Sequence, residues 1–204
     1  MIDQEIDIRS EETTWARAAQ AGDQLAFTNL IERYERAVFN LCYRMLGSHN
    51  EAEDAAQEAF LRAYRAIKRY DPERRFSTWV LSIASNYCID QFRKRRLFTL
   101  SLDEMPYLDI AEHGPGPEGR LIHAELEAEI QAVLCELGDL DRATVILRYW
   151  YELSYDEIGE ALDLTNSAVK SRLHRARRAL AEAWETRTEM PAPLGRTVYG
   201  PQTV

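Results

Sequence analysis

Between Ser154 and Leu180 the chain reads SYDEIGEALDLTNSAVKSRLHRARRAL, and its cations are spaced to grip nucleic acid. Lys170, Arg172, Arg175, Arg177 and Arg178 fall between Thr165 and Ala181 with no acid among them. At about 100° per residue, Ser167, Ser171, His174 and Arg178 share one helix face, flanked by Lys170 and Arg175. Val169, Leu173, Ala176 and Leu180 make a single apolar stripe on the opposite face. Small polar residues at a helix start allow close approach to base edges, and Arg and Lys grip guanine edges or phosphates. The whole chain carries a formal net charge of -9. A positive face on an acidic protein is therefore placed, not a by-product of composition. The plainer alternative is a basic solvated helix in a helical domain.

The residues before this helix weaken that alternative. Ser154 followed by Glu157 is the pattern of a capping box, in which both side chains satisfy orphan N–H groups at a helix start. Ile158, Ala161 and Leu162 then give one apolar stripe. Asp163-Leu164-Thr165-Asn166 interrupts the spacing, with Leu164 placed to plug a turn. Helix, tight turn and basic helix make a helix-turn-helix, which alone says only that DNA is bound.

Composition sets the frame. A chain of 204 residues holds one large or two small domains, and 46% hydrophobic residues are ample for a core. Prolines and glycines gather outside the periodic segments, so long helices are expected. No apolar run reaches about 18 residues, which argues against a membrane span. The acidic start MIDQEIDIRSEETTW lacks the apolar stretch of a secretion signal. Cys42, Cys88 and Cys135 lie far apart in apolar helical segments, so reduced, buried thiols in a cytoplasmic protein are expected rather than a zinc site or disulfide. His49, His113, His123 and His174 are scattered, and no phosphate-cradling glycine loop, H-E-x-x-H or Ser/His/Asp set is present. No metal, no cofactor and no enzyme activity are expected.

The class that follows is all-α, with two small helical domains joined by a flexible acidic linker. Residues 1–11 read as a flexible N-terminus and 12–96 as an N-terminal domain of three or four helices. Gly22-Asp23 marks a break and a cap before Phe27, Leu30, Ile31, Tyr34, Val38, Leu41, Cys42 and Met45. Gly47-Ser48-His49-Asn50 ends that helix, and Ala55, Ala59, Phe60, Ala63, Tyr64 and Ile67 carry the next. A polar loop at Tyr70 to Arg75 contains Pro72, which disfavours helical geometry in Asp71. A third helix opens at Phe76-Ser77-Thr78-Trp79, with Ser77 or Thr78 as its cap, and runs into the basic stretch Arg93 to Arg96. Phe76 and Trp79 fit core packing better than base stacking. Residues 97–119 have linker composition, with Pro106, Gly114-Pro115-Gly116-Pro117 and several acids. Those acids serve solubility or, less readily, imitate nucleic acid in a basic channel of a partner. Residues 120–185 form the C-terminal helix-turn-helix domain, and 186–204 a disordered tail.

These stretches resemble the bacterial RNA polymerase sigma factors of the sigma-70 family, in the compact extracytoplasmic-function group. AGDQLAFTNLIERYERAVFNLCYRMLG, EAEDAAQEAFLRAYRAI and FSTWVLSIASNYCIDQFRK resemble the family's second region. LGDLDRATVILRYWYELSYDEIGEAL and AVKSRLHRARRAL resemble its fourth. The resemblance covers about Trp15 to Trp184, with the two blocks in the family's order.

The resemblance implies roles. Asp54, Gln57, Glu58 and Phe60 stand where the family docks on the clamp helices of the polymerase largest subunit. Charge alone favours Asp54 and Glu58 as surface acids paired with Arg62 or Arg65, and the resemblance reverses that preference. Asn86, Asp90, Arg93 and Lys94 take the place of the minus-ten reader, which needs a pocket for an unstacked base and a basic track for the freed strand. A helix end favoured by its dipole is the rival account of the basic run, and it explains one or two cations better than four. Ser167, Ala168, Lys170, Ser171, Arg172, His174 and Arg175 align with the minus-thirty-five reader. Relatives commonly have Gly-Thr at Ser167-Ala168, so this chain lacks a threonine hydroxyl at that position of the reader. Relatives usually have alanine at Gly159, where glycine costs about 1 kcal/mol of helix propensity unless close packing uses it.

The implied function is promoter-specific initiation. The chain would bind core RNA polymerase at the clamp helices and flap, recognise both promoter DNA elements and aid melting, with an anti-sigma protein as a further partner. A stand-alone regulator binding paired half-sites as a dimer is the main rival.

Overall fold

The computed structural model describes residues 2–101 and 118–189, with side chains over 10–97 and 127–182. Among the described residues there are eight α-helices and no strand, as the all-α class requires. They are α1 (Ile2–Gln20), α2 (Gln24–Leu46), α3 (His49–Ala66), α4 (Phe76–Ser101), α5 (Glu118–Glu136), α6 (Asp139–Tyr149), α7 (Tyr155–Leu162) and α8 (Asn166–Glu189). A 3-10 turn (Ile67–Arg69) follows α3.

Local chemistry sets the boundaries. Asp23 caps α2, its carboxylate accepting from the N–H groups of Leu25 and Ala26 at 2.9 and 3.2 Å. Gly47 ends α2 in the left-handed region, φ 80°, where a side chain would be strained. Ser48 caps α3 by accepting from Glu51 N–H. α4 already begins at Phe76, so Ser77 and Thr78 lie inside its first turn and neither is the expected cap. The helix α1 reaches back to Ile2, where an irregular terminus was expected through residue 11. Further along α1, Tyr34 donates to the buried Glu12, and Gln20 Nε2 donates to the Ile67 and Tyr70 carbonyls at 3.0 and 2.6 Å. α4 runs on to Ser101 and α5 starts at Glu118, which shortens the expected linker from both sides. Residues 102–117 and 190–204, expected as irregular linker and tail, lie outside the described residues. α8 continues to Glu189, past the expected domain end at 185.

The helix α2 is the centre of the N-terminal block, packed on α1, α3 and α4. In the C-terminal block α6, α7 and α8 pack on one another, with α5 against α8. The buried residues of both blocks form one contiguous cluster. Its joint answers a backbone need. The last carbonyls of α2 have no partner within their own helix. Gln131 Nε2 donates to Arg44 O at 3.1 Å, and Arg142 Nη1 donates to Met45 O at 2.5 Å. Arg142 also donates from Nη2 to Cys135 O at 2.8 Å and Leu137 O at 3.3 Å, so one guanidinium closes the ends of α2 and α5. Positive charge at two helix C-termini is favourable. Tyr151 donates to Ala37 O at 2.6 Å beside it.

Of the cysteines, Cys42 and Cys88 are buried as expected. Their hydrogen bond, together with burial, pushes the Cys88 thiol far above its ordinary value and keeps it protonated. Cys135 is exposed, against expectation, because it faces outward near the end of α5. No helix among the described residues is long and apolar enough to cross a membrane.

Candidate nucleic-acid and docking interfaces

The helix-turn-helix is built as its sequence indicates. Ser154 Oγ accepts from Glu157 N–H at 3.2 Å, and Ser154 N–H donates to Glu157 Oε2 at 2.8 Å. Asp163 ends α7 at φ 54°, a left-handed conformation that Asp tolerates better than most residues. Leu164 N–H then returns to Gly159 O at 2.8 Å, folding the turn onto α7. A β-carbon on Gly159 would stand 2.7 Å from Leu164 O. Close packing therefore does use this glycine. Thr165 Oγ1 accepts from Ala168 N–H at 3.2 Å and starts α8.

On α8, Val169, Leu173 and Ala176 are buried, while Ser167, Lys170, Ser171, His174, Arg175 and Arg178 face solvent. Ala168 is half-buried. Arg172 departs from the row. Its side chain is only 24% exposed, and Nη1 lies 2.7 Å from Asp141 Oδ1. Arg175 Nη2 reaches the same oxygen at 3.3 Å. The recognition helix has no acid of its own in this stretch, but α6 supplies one.

The second candidate DNA face lies on α4. Asn86, Asp90, Arg93 and Lys94 follow one stripe, with Asn86, Arg93 and Lys94 exposed and Asp90 half-buried. Asp90 pairs with Arg93 at 3.6 Å. Behind them Phe76 is 1% exposed and joins Tyr70 and Trp79 in an aromatic cluster with ring centres 4.7–5.5 Å apart. The core role expected for Phe76 is met, while Trp79 packs against the core half-buried.

This face is not open. α7 lies against it. Asn86 Nδ2 donates to Ala161 O at 2.8 Å, Thr78 Oγ1 to Glu157 Oε1 at 3.2 Å, and Arg74 Nη1 to Glu160 Oε2 at 2.8 Å. A groove of about 270 Å³ remains between the helices, lined by Arg75, Trp79 and Ser82 with the two glutamates. Glu157 thus serves the capping box and the contact between blocks. Burial pushes its carboxyl up, but hydrogen bonds from Ser154 and Thr78 and the nearby Arg75 outweigh it and hold it below its ordinary value. A carboxylate with a lowered value stabilises above its unfolded value, and that contribution is lost as pH falls through the folded one. Glu157→Ala is expected to cost about 1 kcal/mol near neutral pH. Thermal unfolding of both proteins across pH should show this difference fading below about pH 4.

On α3, Asp54 and Gln57 are exposed, and Glu58 is half-buried against Arg62 at 2.9 Å, whose hydrogen bond lowers the carboxyl. Phe60, which the resemblance placed among the docking residues, is not at the surface of the free chain. It is 8% exposed with Ala56, Ala59 and Ala63 on the inner face, so its ring seats α3 on the core. Leu61 and Tyr64, unmarked in the sequence reading as docking residues, are 50% and 43% exposed. They continue the Asp54–Gln57 face at helical spacing. In the C-terminal block an apolar groove of about 350 Å³ runs between α5, α6 and α8, lined by Ile130, Val133, Leu134, Val145, Trp150 and Leu180. Among the described residues no group of three metal-ligating side chains stands together.

Known proteins share both blocks. Residues 30–98 match the family model of Sigma-70 region 2, and residues 127–180 that of Sigma-70, region 4. The chain is 41% identical over 171 residues to the ECF RNA polymerase sigma factor SigW of Bacillus subtilis, covering 80% of this chain and 91% of that protein. It is 33% identical over 180 residues to the ECF RNA polymerase sigma factor SigE of Mycolicibacterium smegmatis, covering 87% and 70%. Among solved structures it is similar to CnrH in complex with the cytosolic domain of CnrY, with TM-score 0.65, 25% identity, and 86% and 98% of the two chains covered.

Proposed function

Because the chain belongs to the extracytoplasmic-function group of the sigma-70 family, we propose a division of labour among its faces in the service of that family's task. The task is to bind core RNA polymerase and direct promoter-specific initiation. The observation that carries it is one chain holding both matched regions in order, with an outward cation row on the second.

Ser167, Ala168, Lys170, Ser171, His174 and Arg175 read the minus-thirty-five element. The exposure of all but the half-buried Ala168 along one side of α8 supports this, and Arg172, at a further position of the same reader, is paired with Asp141 of α6. Asn86, Asp90, Arg93 and Lys94 serve the minus-ten element. Asp54, Gln57 and Glu58, extended by Leu61 and Tyr64, dock on the clamp helices, and the apolar groove beside α5 receives the flap. Domain limits near residues 12–96 and 120–185 follow the same division. Polymerase makes the RNA, and this chain performs no catalytic step. It acts in the cytoplasm, where an anti-sigma protein holds it in reserve. The solved pairing of CnrH with CnrY supports such a partner.

The test is transcription in vitro with core polymerase, with and without this protein, on a promoter library. New start sites sharing two upstream elements are expected. A Lys170→Ala/Arg175→Ala double variant should lose about tenfold or more at promoters that rely on the upstream element. Absence of protein-dependent starts, with dimeric footprints by the protein alone, would instead make it a stand-alone regulator.

A further inference from the structure

Cations from both DNA faces converge on one helical turn. α6 opens with Asp139 and Asp141, two acids in its first turn. Residues two apart on a helix do not share a face, so the carboxylates point to different neighbours. Asp139 pairs with Arg96, at the end of the basic run on α4. Asp141 pairs with Arg172 and Arg175 of α8 at 2.7 and 3.3 Å. Both aspartates are about one-fifth exposed, whereas Arg96 and Arg175 are more than half exposed. An open groove of about 570 Å³ lies between them, with Arg93, Arg96 and Arg172 on its walls.

We infer that Asp139 and Asp141 are an internal substitute for DNA phosphate, occupying arginines of both readers until promoter DNA displaces them. This rests on the assignment of α4 and α8 as the DNA readers. The chemistry matches on both sides. Arginine takes carboxylate and phosphate with the same planar donor fork, so each aspartate competes directly with a backbone phosphate. A carboxylate already on the cation lowers the net gain from a phosphate and weakens DNA binding by the free chain. Asp141 has a second effect. By holding Arg172 and Arg175 on one oxygen, it sets where Arg175 starts from, which makes it a positioning residue for the recognition helix.

The competing account is that both acids only favour the N-terminus of α6, whose cap Gly138 supplies no side-chain hydrogen bond. The two accounts predict opposite results. The probe is a mixed-sequence duplex of about thirty base pairs, titrated with full-length Asp139→Asn/Asp141→Asn over a salt series. Substitution of phosphate predicts binding about tenfold tighter than wild type, with the slope of log K against log salt steeper by about 0.9 for each arginine released. A lower melting temperature with affinity and slope unchanged, or weaker binding, overturns it. If the double variant does not fold, Asp139→Asn alone is read the same way, since Arg96 is mostly exposed and its release is expected to steepen the slope by about one arginine's worth. Polymerase-dependent initiation by the wild type separates the two levels. Where that is present and the variant binds DNA no tighter, only this inference fails. Where it is absent, the reader assignment fails first.

Discussion

Arg142→Ala should lower stability by about 3–5 kcal/mol and release the C-terminal block from the N-terminal one. Arg142 is 6% exposed and serves carbonyls of Met45, Cys135 and Leu137, which belong to two helix ends and the loop between α5 and α6. Alanine leaves these acceptors buried and unmatched, at about 1–3 kcal/mol for each that water cannot reach. It also removes the guanidinium that lies 5.2 Å over the Phe92 ring, a further tie across the joint. Burial lowers the affinity of this guanidinium for its proton, but arginine stays charged across the working range. A fall in melting temperature of about 10 °C is expected for a chain of this size. Small-angle scattering should show a larger radius of gyration. Arg142→Lys should recover only part of the loss, because one ammonium cannot span carbonyls on two helices. A change below about 1 kcal/mol would mean that water reaches the joint.

Gly159→Val carries the second large effect, about 3 kcal/mol, and it falls on DNA reading. The obstacle to a side chain is backbone, Leu164 O, and not the movable end of a neighbouring side chain. Adding even one carbon at 2.7 Å forces the turn away from α7, and valine adds two more. Alanine should cost less, because better helix propensity returns about 1 kcal/mol. Since the turn aims α8, the valine variant should lose discrimination among minus-thirty-five sequences while core polymerase binding persists. Competition binding to core polymerase and initiation on upstream-element variants measure the two separately. Unchanged discrimination would show that the turn adapts without moving α8.

Much of this was legible from local spacing. The capping box at Ser154 and Glu157, the Asp23 cap, the Gly47 stop and the inward stripe of α8 each depend on residues within four positions of one another. Phe60 was legible too, since Ala59 and Ala63 already placed it on an apolar stripe. A family position overrode the periodicity there. Arg142, Asp141 and the closure of α7 on α4 were not legible. Arg142 meets Met45 across 97 residues, and Asn86 meets Ala161 across 75. The partners of Arg142 and Asn86 are carbonyls, which every residue carries, so no side-chain pattern announces them, and Asp141 meets its arginines only through the packing of α6 on α8. The expected cap at Ser77 or Thr78 failed for a related reason: helix α4 starts from Phe76, whose ring is anchored by Tyr70, Trp79 and Tyr34.

Closure gives the free chain its character. While Asn86 is bonded to Ala161 O, and Arg74 and Thr78 to α7 glutamates, the α4 face proposed to serve the minus-ten element is covered by α7. Both matched regions are folded, yet one covers the other. On the proposed roles, polymerase binding separates them, and the binding energy of the two proposed docking faces is available to do so. The direct measurement is energy transfer between dyes at Lys68 and Glu127, both exposed, in a Cys135→Ser background. The expected result is high transfer in the free chain, unchanged by DNA alone, and a marked fall when core polymerase binds. Low transfer in the free wild-type chain, equal to that of the polymerase complex, would contradict a chain that closes over its own reader.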